Sequence, residues 1–464
     1  MLKRLFTNMF GKFDSKQEVI KYALLGLTFG VIIAAYWALR PVKDGIFQSI
    51  VGVDYTPYAK WLSLAVVLLL IGVYGKLVDM FPRNKVFYII TGIYGLGALV
   101  LAFLLVNPSI GLPNTVESPT RFIGWFTYVF IESFATLTVP LFWAFSADVS
   151  TPESAKRGFP LIMLCAQVGN VLGPLLLRAK FLGFATSGPI IGIAGSMILT
   201  AGLLIWLFMR VVPAQDLEGY HAKDEPTEKK EKPGFLEGLK LLVTHGYLLG
   251  IFFVYFAYEV IQTIIDFYWK VQVKAAFPVE VDRSNFLAWF AVSVGLVSSL
   301  SILLGISKIQ RRLGMKASLI AMPILVAIGV VLWRLSVAAT GSVLFGFELS
   351  MIAGFIVLVV FKALNYALNQ PSIKQLYIPT TKDARYKAQA WIEVFGSRGS
   401  KTAGSGINAL KLPLSRYFGP ATGMSLFLTL ATGTSLGLLA IWFFVAIFVA
   451  QKYNKAVKDN TVVC

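Results

Sequence analysis

PAQDLEGYHAKDEPTEKKEKP, residues 213–233, is the stretch that decides how this chain is built. It is the longest hydrophilic run in a 464-residue sequence that is otherwise 56% hydrophobic, with a mean hydropathy of +0.71. A soluble globule of this size cannot hide so much apolar surface, so a bilayer is the natural solvent. Outward from the run in both directions, apolar segments of roughly 20 residues recur, the length that crosses about 30 Å of hydrocarbon. Before it, spans are expected at 22–40 (running past Pro41 to about 48), 58–79, 86–106, 122–146, 158–180 and 187–212. After it, they are expected at 245–269, 284–306, 316–338, 346–369, 388–412 and 423–450. The fold class is therefore an all-α integral membrane protein of about twelve transmembrane helices. Its domains are an N-terminal six-helix half (1–212), a charged, mobile cytoplasmic linker (213–234) and a C-terminal six-helix half (235–464).

The formal charge of +18 suggests a nucleic-acid partner at first sight. Its distribution argues otherwise. With both termini cytoplasmic, most Lys and Arg fall in the tails and inner loops, as membrane insertion requires, and no nucleic acid is needed. The cysteines, Cys165 and Cys464, support neither a disulfide framework nor a metal site. The histidines, His221 and His245, are too few and too peripheral for a metal centre, and no cofactor is expected. The opening MLKRLFTNMFGKFDSKQ lacks a continuous apolar stretch, so no cleavable signal peptide is read there; it reads as a basic amphipathic segment on the inner face.

GKLVDMFPRNK, Gly75 to Lys85, resembles the loop motif of the major facilitator superfamily, and Asp79 and Arg83 are taken as its gating residues. SKIQRRLGMK, Ser307 to Lys316, is a weak repeat of it after the eighth span. Gly169, Gly173 and Pro174 echo that superfamily's antiporter motif, although Leu176 and Leu177 stand where its last glycines belong. Small residues also pack transmembrane helices for purely structural reasons. Two major-facilitator-like halves around a midplane site imply alternating access.

Ionisable groups inside the bilayer cost at least about 2.5 to 3.5 kcal/mol at the centre, so each needs a partner or a function. In the first span Tyr36, Arg40, Lys43, Asp44 and Phe47 share a helical stripe. The fourth places Tyr128, Glu132, Thr136 and Trp143 on one face, and its acid needs a cation opposite. The seventh carries Tyr255, Glu259, Gln262, Asp266 and Trp269, which Lys362, Asn365 and Asn369 of the tenth answer; the eleventh adds Glu393, Arg398 and Lys401. Mutual pairing that locks helices accounts for any one of these. Cations, amides and aromatics together also suit a phosphorylated aromatic ligand. GSRGSKT, Gly396 to Thr402, is not a phosphate-binding P-loop, because Phe395 and Ser400 stand where that motif needs glycines.

Four stretches resemble the ATP:ADP antiporter (nucleotide transport protein) family of plastids and intracellular bacteria. They are Arg40 to Asp44 (RPVKD), Phe142 to Leu161 (FWAFSADVSTPESAKRGFPL), Lys362 to Pro379 (KALNYALNQPSIKQLYIP) and Tyr386 to Ser405 (YKAQAWIEVFGSRGSKTAGS). The resemblance implies that Lys43, Glu132, Asp266, Lys387, Arg398 and Lys401 are needed for transport. Asp266, Gln375 and Gln389 depart from the family's usual residues, which bears on the choice of nucleotide. The leading expectation is exchange of ATP for ADP across a bacterial inner membrane, by a monomer and not an enzyme. Arg40, Lys43, Lys387, Arg398 and Lys401 would hold phosphates. Tyr36, Phe47, Tyr128 or Trp143 would stack on the base, with Asn365 and Asn369 as polar contacts; Glu132, Glu259, Asp266, Lys362 and Glu393 would couple or gate. The alternatives are proton-coupled import of other nucleotides or NAD and, more remotely, a membrane-embedded transferase.

Overall fold

A computed structural model describes residues 13, 15–217, 235–303, 306–339, 341–381 and 388–463. The first six helices are α1 (Lys16–Ile50), α2 (Thr56–Met80), α3 (Arg83–Val106), α4 (Phe122–Asp148), α5 (Pro152–Leu176) and α6 (Gly188–Val211). Ser15 caps α1 by accepting from the Glu18 amide at 3.0 Å, and α1 continues through Pro41 to Ile50. A reciprocal capping box, Thr151 with Ser154, starts α5. The next three are α7 (Gly246–Ala276), α8 (Glu280–Leu303) and α9 (Ile306–Ala338), the last broken at Gly314, whose φ of 79° only glycine adopts freely.

Helix α10 (Leu349–Leu364) passes through a π-helical turn at Asn365–Asn369 into Gln370–Leu376. Helix α11 starts at Gln389–Trp391, widens into a second π-helical turn at Ile392–Gly396 and continues as Ser397–Ala409; α12 is Pro420–Asp459. Among the described residues eleven helices are long and apolar enough to cross a membrane. Helix α11 is not one of them, because Arg398, Lys401 and a run of Gly and Ser dilute its apolar content. GSRGSKT is thus helical from Ser397 onward, with the π-helical turn Ile392–Gly396 before it.

One detail differs from the sequence expectation. A small antiparallel hairpin, Val343–Leu344 with Phe347–Glu348, precedes α10, which starts at Leu349. Its turn residues Phe345 and Gly346 both have positive φ, the conformation that closes a two-residue hairpin. Most of the 213–234 linker lies outside the described residues; the short helices Ala214–Leu217 and Phe235–Thr244 flank that part.

Contacts divide the chain into two compact units. One is Met1–Val53, Ala65–Pro226 and Phe277–Gly295; the other is Asp54–Leu64, Thr227–Ala276 and Leu296–Cys464. The first thus takes in the start of α8, and the second the first turns of α2. In the first unit α1 and α5 touch backbone to backbone. A Cβ on Gly169 would stand 2.3 Å from the Gly30 carbonyl oxygen, and one on Gly173 would stand 2.3 Å from that of Ala34. The small residues of α5 are therefore a packing seam. In the second unit Trp269 of α7 donates to the Met351 carbonyl at 3.0 Å and lies over Gly354, docking α7 on α10.

Candidate functional site

The first unit brings four of the expected residues together. Lys43 is 4% exposed and forms an ion pair with Glu132, while Asp44 lies 3.7 Å away. Its ammonium also sits 4.3 Å from the centroid of the Tyr128 ring, a cation–π contact. One turn further along α1, Phe47 packs edge-on against Tyr128 at 5.1 Å and Trp125 at 5.3 Å. Lys43 meets Glu132 and Phe47 meets Tyr128, so numbering rises on α1 as it falls on α4; the antiparallel helices align two i, i+4 pairs. Gln48 beside them is 1% exposed, and neither its amide oxygen nor its nitrogen has a hydrogen-bond partner among the described residues.

The other expected residues of this unit lie elsewhere. Arg40 stacks on Trp37 at 5.1 Å, and Tyr36 packs on the same Trp37. Trp143 belongs to a cluster with Phe29, Phe142 and Phe159, about 16 Å along α4 from Glu132 at 1.5 Å per residue. Arg83 pairs with Asp148 at the end of α4 and donates to the Ala144 carbonyl at 2.9 Å; Asp79 is exposed. Asp148 was missed from sequence, although it closes the FWAFSAD stretch quoted for the family resemblance. Arg283, also missed, is wholly buried and donates to the carbonyls of Phe277, Pro278 and Gly45 and to Ser49.

In the second unit Asp266, 5% exposed, accepts from Lys362 at 3.1 Å through one oxygen and pairs with Lys270 at 2.7 Å through the other. The expected answer of α10 to α7 is thus present, with Lys270 an addition. Two turns earlier on α7, buried Glu259 faces the Lys401 ammonium at 3.8 Å. Asn369 donates to the Asn365 side chain at 2.9 Å, while its own side-chain oxygen is buried without a hydrogen-bond partner among the described residues. Both lie in the π-helical turn of α10, and another such turn lies just before Arg398. Wide turns of this kind recur at functional sites, because the inserted residue re-aims the side chains around it.

Glu393 is exposed and pairs with Lys374 and Gln389, not with the cations further along α11. Arg398 is half-buried and the Lys401 side chain is 45% exposed. Lys387 lies outside the described residues. Chemically, the two units offer the same motif: a buried ammonium whose charge is held by a carboxylate.

Membrane-length helices that bury cation–carboxylate pairs within each of two units fit a transport protein, because charges inside the bilayer mark substrate and ion pathways. The family is specific: the chain belongs to the TLC ATP/ADP transporter family, whose sequence profile matches residues 6–113 and 122–453. Relatives include ADP,ATP carrier protein 3 of Rickettsia conorii (strain ATCC VR-613 / Malish 7), 25% identical over 440 residues, spanning 85% of this chain and 87% of the relative. ADP,ATP carrier protein 1 of Rickettsia prowazekii (strain Madrid E) is 26% identical over 439 residues, spanning 86% and 87%. Among solved structures, a bacterial homologue of the iron transporter ferroportin in an inward-facing state aligns with a TM-score of 0.64 at 12% identity, covering 94% of this chain and all of that one. The nucleoside transporter NupG aligns at 0.59 and 14% identity, covering 93% and 99%. These likenesses establish the fold alone.

Proposed function

We propose that this multi-pass membrane protein exchanges ATP for ADP by alternating access, with phosphates bound by the buried lysines. The observation that carries the reading is the ATP/ADP transporter family match from residue 6 to residue 453. The geometry supports a mechanism. An unpaired ammonium in the membrane interior is strongly disfavoured, so Glu132 holds Lys43, Glu259 faces Lys401 and Asp266 holds Lys270 and Lys362. A phosphate oxygen makes the same charge-assisted hydrogen bonds as a carboxylate oxygen. Arriving nucleotide therefore displaces the acids, and departing nucleotide returns the lysines to them. ATP and ADP compete for the same cations, and each turnover ends as it began. In this reading Arg40, Arg398, Lys387 and Lys401 add phosphate contacts, Gln48, Asn365 and Asn369 supply polar contacts, and Arg83 with Asp148 forms an inner gate. The membrane is a bacterial inner membrane, both termini are cytoplasmic and the carrier acts as a monomer.

The test is a binding screen on purified protein. ATP and ADP should each raise the unfolding midpoint, by the linkage that stabilises a folded state through bound ligand. Protection by NAD or by another nucleoside triphosphate, without protection by ATP and ADP, overturns the substrate assignment.

A further inference from the structure

Away from the lysines, the first unit carries an apolar groove of about 490 Å³ between α3 and α6, lined by Tyr88, Thr91, Gly92, Leu199, Leu203 and Trp206. That is within the roughly 300–1,000 Å³ of small-molecule sites. Its wall hydroxyls are already engaged, because that of Thr91 donates to the Phe87 carbonyl at 2.8 Å and that of Tyr88 hydrogen-bonds the Asn84 side chain. The groove body therefore suits a hydrocarbon chain and offers no anchor to a polar solute.

One end of the groove differs. The Arg210 guanidinium lies 4.2 Å above the ring of Trp206, which is 45% exposed at the mouth. The packing fixes what stands beside them. A Cβ on Gly202 would meet the Thr91 hydroxyl at 2.5 Å, and one on Gly195 would meet the Ala98 Cβ at 2.8 Å. The helices therefore run antiparallel with Thr91 level with Gly202 and Ala98 level with Gly195. Continuing that register brings Lys85, in the first turn of α3, to within a turn in height of Arg210, in the last turn of α6. Both side chains are exposed. An apolar slot thus ends in an arginine over an indole with a second exposed cation within a turn in height, an arrangement suited to an acyl chain below and a phosphate above.

We propose that this groove is a binding site for an anionic phospholipid, one acyl chain in the slot and its phosphate between Arg210 and Lys85. A zwitterionic lipid offers the same chain without the net charge, so the two cations set the preference, at roughly fivefold per cation.

The experiment uses full-length protein in nanodiscs of mixed phosphatidylglycerol and phosphatidylcholine, with retained lipid counted by native mass spectrometry. Gly92→Phe fills the slot, because a Cβ there meets nothing within 4 Å, so the ring enters without displacing backbone. Arg210→Gln removes one exposed cation and leaves the slot open. The wild type should retain phosphatidylglycerol over phosphatidylcholine, Gly92→Phe should lose both, and Arg210→Gln should keep a lipid while its preference falls about fivefold. Equal retention of the two lipids by the wild type overturns the proposal. So does wild-type retention by a Gly92→Phe protein whose unfolding midpoint is unchanged. A wild-type dimer that Gly92→Phe converts to monomer overturns it as well, since the slot would then hold a second copy of the chain.

Discussion

Replacing Asp266 by Asn should be far more damaging than replacing either lysine it holds, and the geometry gives the size of the difference. Asp266 is 5% exposed, with Lys270 at 2.7 Å on one oxygen and Lys362 at 3.1 Å on the other. At an effective dielectric of about 20, a pair 3 Å apart attracts by roughly 5 kcal/mol before desolvation is subtracted. Neutralising the acid removes the carboxylate that both ammonium groups share, and removing one partner of a buried pair costs about 3 to 5 kcal/mol. Lys362→Met leaves Asp266 still paired with Lys270, so its cost should be about 1 to 2 kcal/mol, and the methionine retains much of the packing of the lysine stem. The double variant Asp266→Asn with Lys362→Met leaves one lysine instead of two without that carboxylate, so it should be more stable than Asp266→Asn alone. The assay is thermal unfolding of the four purified proteins in one detergent, treated as a double-mutant cycle. A coupling energy near zero, or an Asp266→Asn protein no less stable than Lys362→Met, would refute the reasoning that a single carboxylate neutralises both cations.

Three further outcomes are expected. Lys43→Ala should abolish nucleotide uptake while inserting into the membrane at wild-type levels, checked by transport and by the amount of protein in the membrane fraction; wild-type uptake would remove Lys43 from the site. Gly173→Val should prevent stable folding, because its Cβ would stand 2.3 Å from the Ala34 carbonyl oxygen, whereas Gly437→Ala in α12 meets nothing within 4 Å and should express and unfold like the wild type. Exchange of external ATP for internal ADP carries about one net negative charge inward, so an inside-negative potential of 100 mV should shift the equilibrium ratio about fiftyfold against ATP entry. Ionophore-clamped vesicles measure this directly.

How much was legible in the sequence depended on whether one helix or two had to be known. The stripe of Arg40, Lys43 and Phe47, and the need of Glu132 for a cation, followed from helical spacing and the cost of buried charge. The answer of Lys362 to Asp266 followed the same way. Trp143 was read as a base-stacking candidate, but a tryptophan on a helix face has the same spacing whether it packs on Phe29 and Phe159 or on a ligand. The π-helical turns at Asn365–Asn369 and Ile392–Gly396 had no signal, since a one-residue shift in backbone hydrogen bonding leaves no residue pattern. Arg283 sits in a polar stretch at the start of α8, which reads as a solvated loop until Gly45 and Ser49 of α1 are seen to accept from it. Glu393 was placed with Arg398 and Lys401 because they share a segment; the wide turn between them and the nearby Lys374 give it another partner.

The central claim is exchange of nucleotides on cations that must always be paired, and liposomes loaded with ADP test it most directly. Labelled ATP should enter vesicles containing ADP, should hardly enter empty ones, and should be indifferent to a proton uncoupler once the membrane potential is clamped. Equal uptake into empty vesicles that an uncoupler abolishes would contradict exchange and mark the protein as a proton-driven importer.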